Sequence, residues 1–286
     1  MFYINGVFLE EEPKISSMDL GLIRGYGVFD FMRTYQGHPF HLEDHLLRLQ
    51  YSAKIIDLNL PESIDDIHKI VEILMTKHTS QEANIKIILT GGVSPDHLMP
   101  AQNHTFIIQT YPLKPFPADF HQKGIKVIST PFSRTFPKSK TLNYIGAILA
   151  LKKAQEAKAQ EAIYVDDHKQ ILEATTSNIF AIKKGVLITP LSENILIGIT
   201  REVVLRICQN HFPIEIRSLT LKELLECDEI FISSSNKEIM PVIQVDDSII
   251  GTGVVGPYTK KIKKLFFNYT QSPPWAALNI ERYKSI

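Results

Sequence analysis

The chain has little cysteine and no excess of charge of either sign. Its 286 residues include only two cysteines, Cys208 and Cys227, too few for a disulfide framework or a cysteine-rich metal site. The 31 basic and 31 acidic side chains cancel, so no net field draws the protein to nucleic acid or to an anionic membrane. We therefore expect a cytoplasmic protein that binds a small molecule and no metal ion.

Long apolar runs are also missing. The residues from Met1 to Glu12 contain no basic region and no apolar core of the kind that begins an export signal. No later run approaches the roughly 20 apolar residues that a membrane-spanning helix needs. Export and membrane insertion are therefore not expected.

What the chain does have is enough apolar residues for two cores. It is 44% hydrophobic and 22% charged, and single cores stop growing at about 250 to 300 residues. Pro112, Pro115 and Pro117 lie close together, where they would interrupt helix and sheet hydrogen bonding and stiffen a connection. We predict an N-terminal α+β domain over residues 1–115, a linker over 116–124 and a C-terminal domain over 125–286.

Periodicity and turn residues predict helices and strands in both domains. Asn5-Gly6 is a strong hairpin signal because both residues accept positive φ, and Ser63 with Asp66 resembles a helix-capping pair. The other elements predicted in the first domain are strands over 28–35, 85–89 and 105–110, a helix over 42–56 and a helix ending near Lys77. In the second domain they are a strand over 125–130, a helix over 143–157, short strands within 162–188, a helix from Ile199, strands over 214–217 and 229–233, and a helix from Pro257.

Two side chains indicate chemistry at an amino group. Lys140 stands in Lys-Thr-Leu-Asn-Tyr, and a Schiff base requires an amine whose pKa falls from about 10.4 towards neutrality. Lys138 is two residues away, so local sequence alone leaves the choice between these lysines open. Glu173 lies in a stretch poor in charge and precedes several hydroxyl residues. A buried carboxylate there could keep a pyridine nitrogen protonated.

Three further features suit a phosphate group. Gly198-Ile199-Thr200-Arg201 opens an apolar helical stripe, and a helix that begins after glycine offers free backbone N–H groups and the positive end of its dipole. Arg48, on the predicted helix over 42–56, could bind the same phosphate through two N–H groups. The loop containing Ser233, Ser234 and Ser235 adds hydroxyls and amides. Each feature also has an ordinary structural explanation, as a cap, a solvated arginine or a polar turn.

Taken together, these blocks resemble a known family. The chain resembles the class IV (fold-type IV) pyridoxal-phosphate-dependent aminotransferases, which include branched-chain and D-amino-acid aminotransferases. The resemblance covers most of the chain, in order, and it is specific because the blocks are many and collinear. The matching blocks are 25–30, 45–49, 140–144, 173–178, 198–201 and 235–241.

The resemblance implies a fold, a cofactor and a set of roles. The fold would be mixed α+β and α/β, with an N-terminal α/β sandwich and a C-terminal β-barrel-like domain that binds pyridoxal 5'-phosphate. Lys140 would form the Schiff base with the cofactor and move the substrate proton. Glu173 would pair with the pyridine nitrogen, and Tyr144 would lie near the phenolic oxygen. The phosphate would be bound by Arg48, Ile199, Thr200, Ser234 and Ser235. The family also implies a homodimer.

Within the family, the sequence leaves the substrate open. A transaminase must bind an α-carboxylate, so it needs cations besides the one at the phosphate. The candidate substrate residues are Arg24, Phe29, Arg33, Lys86 and Asn236. The expected function is transfer of an amino group between an apolar, branched-chain-like amino acid and 2-oxoglutarate.

Two alternatives remain: an atypical D-amino-acid transaminase and an aminodeoxychorismate lyase. Branched-chain enzymes have a substrate-binding arginine at the position of Lys86 and a glycine at that of Phe31. Typical D-amino-acid enzymes have a tyrosine at Phe29 and an Arg-x-His near residues 95–97. Less typical D-amino-acid enzymes share the blocks over 23–30 and 89–96, with Arg24 and Lys86 as carboxylate binders. The lyases have a hydroxyl residue at Phe31, which argues against that activity.

Overall fold

The computed structural model describes residues 1–284, and the chain forms two compact units. Unit 1 comprises Met1–Lys114, Ser139–Asn143 and residues 272–284, and unit 2 comprises Pro115–Lys138 and Tyr144–Gln271. The predicted linker over 116–124 differs from this division, because most of it is a helix within unit 2. Residues 139–143 and the C-terminal tail return to unit 1 through hydrogen bonds to distant segments, which local sequence patterns cannot reveal.

Unit 1 is built on one antiparallel sheet of six strands. The strand order is β2-β1-β6-β5-β3-β4. Its elements are β1 (Phe2–Ile4), β2 (Val7–Leu9), α1 (Leu20–Arg24), β3 (Gly27–Tyr35), β4 (His38–Pro39), α2 (Leu42–Ile55), α3 (Ile64–Thr76), β5 (Ala83–Thr90) and β6 (Thr105–Pro112).

Local sequence accounts well for these elements. The predicted hairpin is confirmed, with φ of 44° at Asn5 and 91° at Gly6. The predicted cap is also confirmed, because Ser63 Oγ accepts a hydrogen bond of 3.1 Å from the Asp66 amide. Buried and half-buried residues alternate along β3 from Val28 to Arg33, as expected for a strand with one face in a core. The core face packs with the apolar faces of α2 and α3.

Unit 2 is built on a mixed sheet of nine strands. Along the sheet the order is β12-β11-β10-β13-β14-β7-β8-β9, with β15 paired to β14, and the pairs β11–β12, β14–β7 and β7–β8 are parallel. Its elements are α4 (Ala118–Lys123), β7 (Ile125–Pro131), α5 (Ile145–Glu156), β8 (Glu161–Val165), β9 (Ile171–Ala174), β10 (Asn178–Lys183), β11 (Val186–Thr189), α6 (Ile199–Cys208), β12 (Ile214–Ile216), α7 (Leu221–Leu225), β13 (Glu229–Ser234), β14 (Glu238–Val245), β15 (Ser248–Ile249) and α8 (Pro257–Thr270).

The predicted mixed fold class is confirmed. The predictions did not include β14 or the short helices, among which is α9 (Glu281–Lys284) in the tail of unit 1. Among residues 1–284, no helix has the length and apolar character needed to cross a bilayer. Cys208 and Cys227 are both buried free thiols, and burial raises their pKa to about 12 and about 11.

Candidate active site

Lys140 is held in unit 1 by its own backbone. The Phe29 amide donates to the Lys140 carbonyl at 2.9 Å, and the Lys140 amide donates to Ser52 Oγ at 3.1 Å. Ser139 Oγ donates to the Ser52 carbonyl at 2.8 Å, and Thr141 forms a β-bridge with Val28. The segment is therefore fixed along β3, with the Lys140 side chain half-buried.

Lys138 lacks that environment. Its side chain is exposed, and it belongs to unit 2, whereas Lys140 belongs to unit 1. The structure thus distinguishes two lysines that local sequence left equivalent.

The aromatic ring of Phe29 lies beside two cations. Lys140 Nζ is 4.5 Å from the ring centre, and Lys86 Nζ is 5.3 Å from it. Phe29, Phe31 and Arg33 are half-buried and share one face of β3, and Lys86 on β5 pairs directly with Phe31. The predicted substrate residues Phe29, Arg33 and Lys86 therefore lie on this side of the sheet, and the predicted catalytic Lys140 lies beside Phe29.

Two predicted substrate cations have partners of their own. Arg24 Nε donates to the His97 carbonyl at 3.1 Å. The Arg33 guanidinium lies 4.4 Å from the centre of the Tyr35 ring, and its Nε donates to the Thr34 carbonyl at 3.4 Å. Of the candidate cations, Lys86 is the one placed on the same aromatic ring as Lys140.

Arg48 belongs to a buried polar cluster on the opposite, core-facing side of β3. Its Nε and Nη2 donate to the two carboxylate oxygens of Asp30, at 2.9 and 2.8 Å. His45, one turn earlier on α2, places Nδ1 2.6 Å from the same carboxylate. All three side chains are at least nine-tenths buried. The arginine predicted to bind phosphate is thus oriented by a carboxylate from the neighbouring strand.

The cluster carries a defined charge pattern. Burial alone would raise the pKa of Asp30, but Arg48 and His45 outweigh it and hold that pKa below its ordinary value. Burial lowers the pKa of His45, against the opposing effect of Asp30. Because both folded pKa values lie below the unfolded ones, the unfolded chain binds protons first on acidification. The stability that these groups contribute is therefore present at neutral pH and is lost as the pH falls.

Asp30→Asn should destabilise the protein by about 3 to 5 kcal/mol, because it leaves Arg48 buried without its anionic partner. Denaturant unfolding at pH 7 measures this change. Asp57→Asn is the matched control, since Asp57 is exposed and its positive φ suits asparagine. Equal stabilities for the two variants would contradict the cluster's role.

In unit 2, Glu173 is buried near the end of β9, and its partners include a cation and a backbone amide. Its Oε1 lies 2.9 Å from Arg134 Nε, and its Oε2 accepts a hydrogen bond of 3.1 Å from the Leu196 amide. The carboxylate is therefore fixed in position. Each oxygen has two lone pairs, so the group retains capacity for a further donor such as a ring N–H.

Several polar atoms of unit 2 are buried with no hydrogen-bond partner among the residues that the structure describes. They include Tyr164 Oη, Ser233 Oγ and Asn236 Oδ1. Burial raises the pKa of Tyr164, and the neighbouring Glu173 raises it further while Arg134 lowers it. Buried polar groups are normally satisfied, so orphaned atoms close to predicted cofactor residues suit a polar ligand. This observation fits a phosphorylated pyridine cofactor.

The start of α6 is suited to a phosphate. Gly198 is the N-cap residue and has no side chain that could accept a hydrogen bond. The first-turn amides of Ile199 and Thr200 therefore have no acceptor on the N-cap side chain. A Cβ at Gly198 would lie 2.1 Å from Asn178 Oδ1, which explains the glycine. Asn178 Nδ2 in turn donates to the Leu196 carbonyl at 2.8 Å. Arg201, by contrast, donates from Nη2 to the Pro190 carbonyl at 3.1 Å and contributes to the local fold.

The loop after β13 is held by a buried ion pair. Lys237 Nζ lies 2.7 Å from Glu161 Oε2 and donates to Thr176 Oγ1 and, at 3.3 Å, to Ser177 Oγ. Glu161 also accepts from Thr175 Oγ1. The network joins the end of β13 at Ser234, and the loop residues Ser235 and Asn236, to the segment that follows Glu173. Tyr144, the predicted neighbour of the phenolic oxygen, precedes α5 as its N-cap residue.

Sequence reasoning missed Arg134, Glu161 and Lys237. Arg134 lies far from Glu173 along the chain, and Lys237 is separated from Glu161 by 76 positions. A single sequence contains no signal for such pairs. The sequence did single out the hydroxyl residues after Glu173. Two of them, Thr176 and Ser177, accept hydrogen bonds from the Lys237 amine.

The sequence pattern of the amino-transferase class IV family matches residues 27–245, which is most of the chain and includes both Lys140 and Glu173. The chain is a class IV aminotransferase. Its relatives are of two kinds. It is 35% identical to a Methanocaldococcus jannaschii protein named "Putative branched-chain-amino-acid aminotransferase", with 92% of this chain and 94% of the relative covered. It is 32% identical to the D-alanine aminotransferase of Staphylococcus epidermidis, with 94% and 98% covered.

Solved structures confirm the predicted fold-type IV architecture for this aminotransferase. The branched-chain amino acid aminotransferase of Escherichia coli matches with a TM-score of 0.90 and 28% identity, covering 96% of this chain and 97% of that one. The T.th. branched-chain amino acid aminotransferase, solved with pyridoxamine 5'-phosphate, shares the fold with a TM-score of 0.89 at 24% identity, covering 97% and 98%. This class IV aminotransferase is therefore of the branched-chain or D-alanine type.

Proposed function

We propose that this enzyme moves an amino group between an apolar, branched-chain-like amino acid and 2-oxoglutarate, with pyridoxal 5'-phosphate as its cofactor. The observation that carries the proposal is Lys140, a half-buried amine whose backbone is fixed along β3. Class IV aminotransferases depend on this cofactor, and the relatives named above support the choice of reaction.

The residues of the chain fit the cofactor. Lys140 would hold its aldehyde carbon, Glu173 its pyridine nitrogen and Tyr144 its phenolic oxygen. The phosphate would be bound by Arg48, by the amides of Ile199 and Thr200 and by Ser234 and Ser235. When bound, the cofactor supplies an electron sink for the negative charge that develops at the substrate Cα.

The protein groups then have distinct tasks. Lys140 Nζ would take the proton from the substrate Cα and deliver it to C4′, the aldehyde carbon of the cofactor, because an unprotonated amine is a competent general base. Glu173 would keep the ring nitrogen protonated, and Arg134 and the Leu196 amide keep its carboxylate in place. Asp30 keeps the Arg48 guanidinium oriented. No metal ion is needed for any of these tasks.

On the substrate side, Phe29 supplies apolar surface and Lys86 supplies a cation for a carboxylate. Arg24, Arg33 and Asn236 complete the proposed substrate set. A second candidate is a D-amino-acid transaminase, which the 32% identity to a D-alanine aminotransferase supports. Both candidates use the same lysine and cofactor and differ in which isomer they accept.

We also propose that the enzyme is a homodimer. Ile145, Ile148 and Leu149 are all more than half exposed, and their spacing places them on one face of α5. An apolar helix face of this kind is typical of a subunit interface, and a second copy of the chain is its proposed partner.

A half-reaction tests the proposed function. The holoenzyme is mixed with paired L- and D-isomers of leucine, alanine and glutamate, without any oxo acid, and the absorbance of the bound cofactor is followed. We expect L-leucine and L-glutamate to convert the cofactor at least about tenfold faster than their D-isomers, since a tenfold ratio needs only about 1.4 kcal/mol of differential binding. Faster conversion by the D-isomers would favour the D-amino-acid transaminase, and an unchanged spectrum with all six would refute transamination.

A further inference from the structure

Unit 1 contains a cavity that none of the proposed active-site residues lines. Its volume is about 820 Å³. Four segments form its walls: the turn between β3 and β4, the first turn of α2, one face of α3 and the C-terminal tail. Small-molecule sites commonly enclose about 300 to 1,000 Å³, so the cavity has the size of a binding site.

The C-terminal tail, which forms one wall of the cavity, is hydrogen-bonded to α2. Both carboxylate oxygens of Asp44 accept the Leu278 amide at 3.1 Å, and Asp44 also lies 2.8 Å from His41 Nδ1. Trp275 packs edge-on against Phe40, with ring centres 4.8 Å apart, and stacks on His41. These contacts hold Trp275 at the cavity as part of the folded unit.

The residues that line the cavity are mainly apolar, aromatic or acidic, with three histidines. Pro39, Leu42, Met75 and Trp275 supply apolar and aromatic surface. The described lining residues include no lysine or arginine, and their acidic members are Asp44, which the tail engages, and Glu43 and Glu72. Both glutamates are exposed at the cavity, and Glu72 Oε1 lies 3.9 Å from Nδ1 of His68, which also lines it. The lining also includes His38, His41 and His68, of which His41 is paired with Asp44 and His68 with Glu72. A cation would meet two exposed carboxylates and an indole.

We propose that this cavity binds small organic cations with an apolar body, meaning protonated amines that carry no carboxylate. The apolar body would lie against Met75 and Leu42, and the ammonium group would face Trp275 and the two glutamates. The same chemistry disfavours amino acids, because Glu43 and Glu72 repel a ligand carboxylate. The site is therefore distinct from the amino-acid site in the ligand it accepts, and it does not depend on the proposed reaction.

Trp275 makes the test direct, because it is the one tryptophan of the sequence. Its fluorescence in the holoenzyme is titrated with N,N-dimethylphenethylamine, phenylalanine and phenylpropionate, which share an aromatic body and differ in charge. A tertiary amine cannot condense with an aldehyde, so its binding is read independently of the cofactor. We expect the amine to bind at least about tenfold more tightly than the carboxylate, with phenylalanine between them.

Charge-removing variants locate the ammonium group. The double variant Glu43→Gln/Glu72→Gln should weaken amine binding by about threefold to tenfold, as expected for partly exposed charges, and added salt should weaken it in the parent protein. Asp65→Asn is the matched control, since Asp65 is exposed on α3 but does not line the cavity. Unchanged Trp275 emission, equal affinity for amine and carboxylate, or full affinity in the double variant would each overturn the proposal.

Discussion

Lys140→Ala is expected to lower kcat for amino-group transfer by about 10⁴-fold or more, because it removes the amine that we propose moves the substrate proton. The backbone contacts of residue 140 to Phe29 and Ser52 do not require the side chain, so the segment should remain along β3. Steady-state kinetics with leucine and 2-oxoglutarate measure the loss. The absorbance of the bound cofactor should change as well.

Lys138→Ala is the control for this variant. Lys138 is two residues away, exposed, and carries the same charge. It should retain kcat within about twofold, as surface substitutions usually have small effects. The assignment would be wrong if Lys140→Ala kept full turnover or if the two variants lost activity equally. Because the stability of Lys140→Ala should change by no more than about 1 kcal/mol, its loss of activity can be separated from unfolding.

Lys237→Met should destabilise the protein by about 3 to 5 kcal/mol, since it leaves Glu161 fully buried without a cation. Denaturant unfolding of the cofactor-free protein measures this cost. We also expect weaker binding of pyridoxal phosphate, because Lys237 anchors the loop of Ser235 and donates its backbone amide to Ser234 Oγ. The dissociation constant of the cofactor, measured by absorbance, reports that second effect.

Two further variants separate charge burial from loss of packing. Glu161→Gln/Lys237→Met should recover much of the lost stability, because a pair of neutral groups leaves no uncompensated charge. Lys183→Met breaks the more exposed pair with Glu226, 3.2 Å apart, and should cost less than about 1 kcal/mol. A double variant as unstable as Lys237→Met would show that the cost comes from packing.

Local elements of the fold could be predicted because their causes are local. The Asn5-Gly6 hairpin follows from two residues that tolerate positive φ, and the start of α3 follows from the Ser63 cap. Periodicity likewise located α2 and β3. The division into units could not be predicted in the same way, because residues 139–143 and the tail are bound to unit 1 by hydrogen bonds between distant positions.

The residues of the candidate site likewise differ in whether the sequence could reveal them. Lys140, Glu173 and the Gly198 helix start stood out because residue type and collinear spacing carry the family's pattern. Arg134, Glu161 and Lys237 did not, since each acts through a partner remote in sequence. The sequence also predicted that Arg48 binds phosphate. It gave no indication that Arg48 would form a buried cluster with Asp30 and His45.

The sequence by itself determined the reaction class and indicated the block that contains the proposed catalytic lysine, because both depend on which residue types occur in which order. Only the tertiary structure decided the environments of the charged groups. It fixed Lys140 along β3 and left Lys138 exposed, and it paired Arg48 with Asp30 and Lys237 with Glu161. The physical reason is that the free energy of a charged group depends on its burial and on partners within a few ångströms. Both arise only when distant segments pack together.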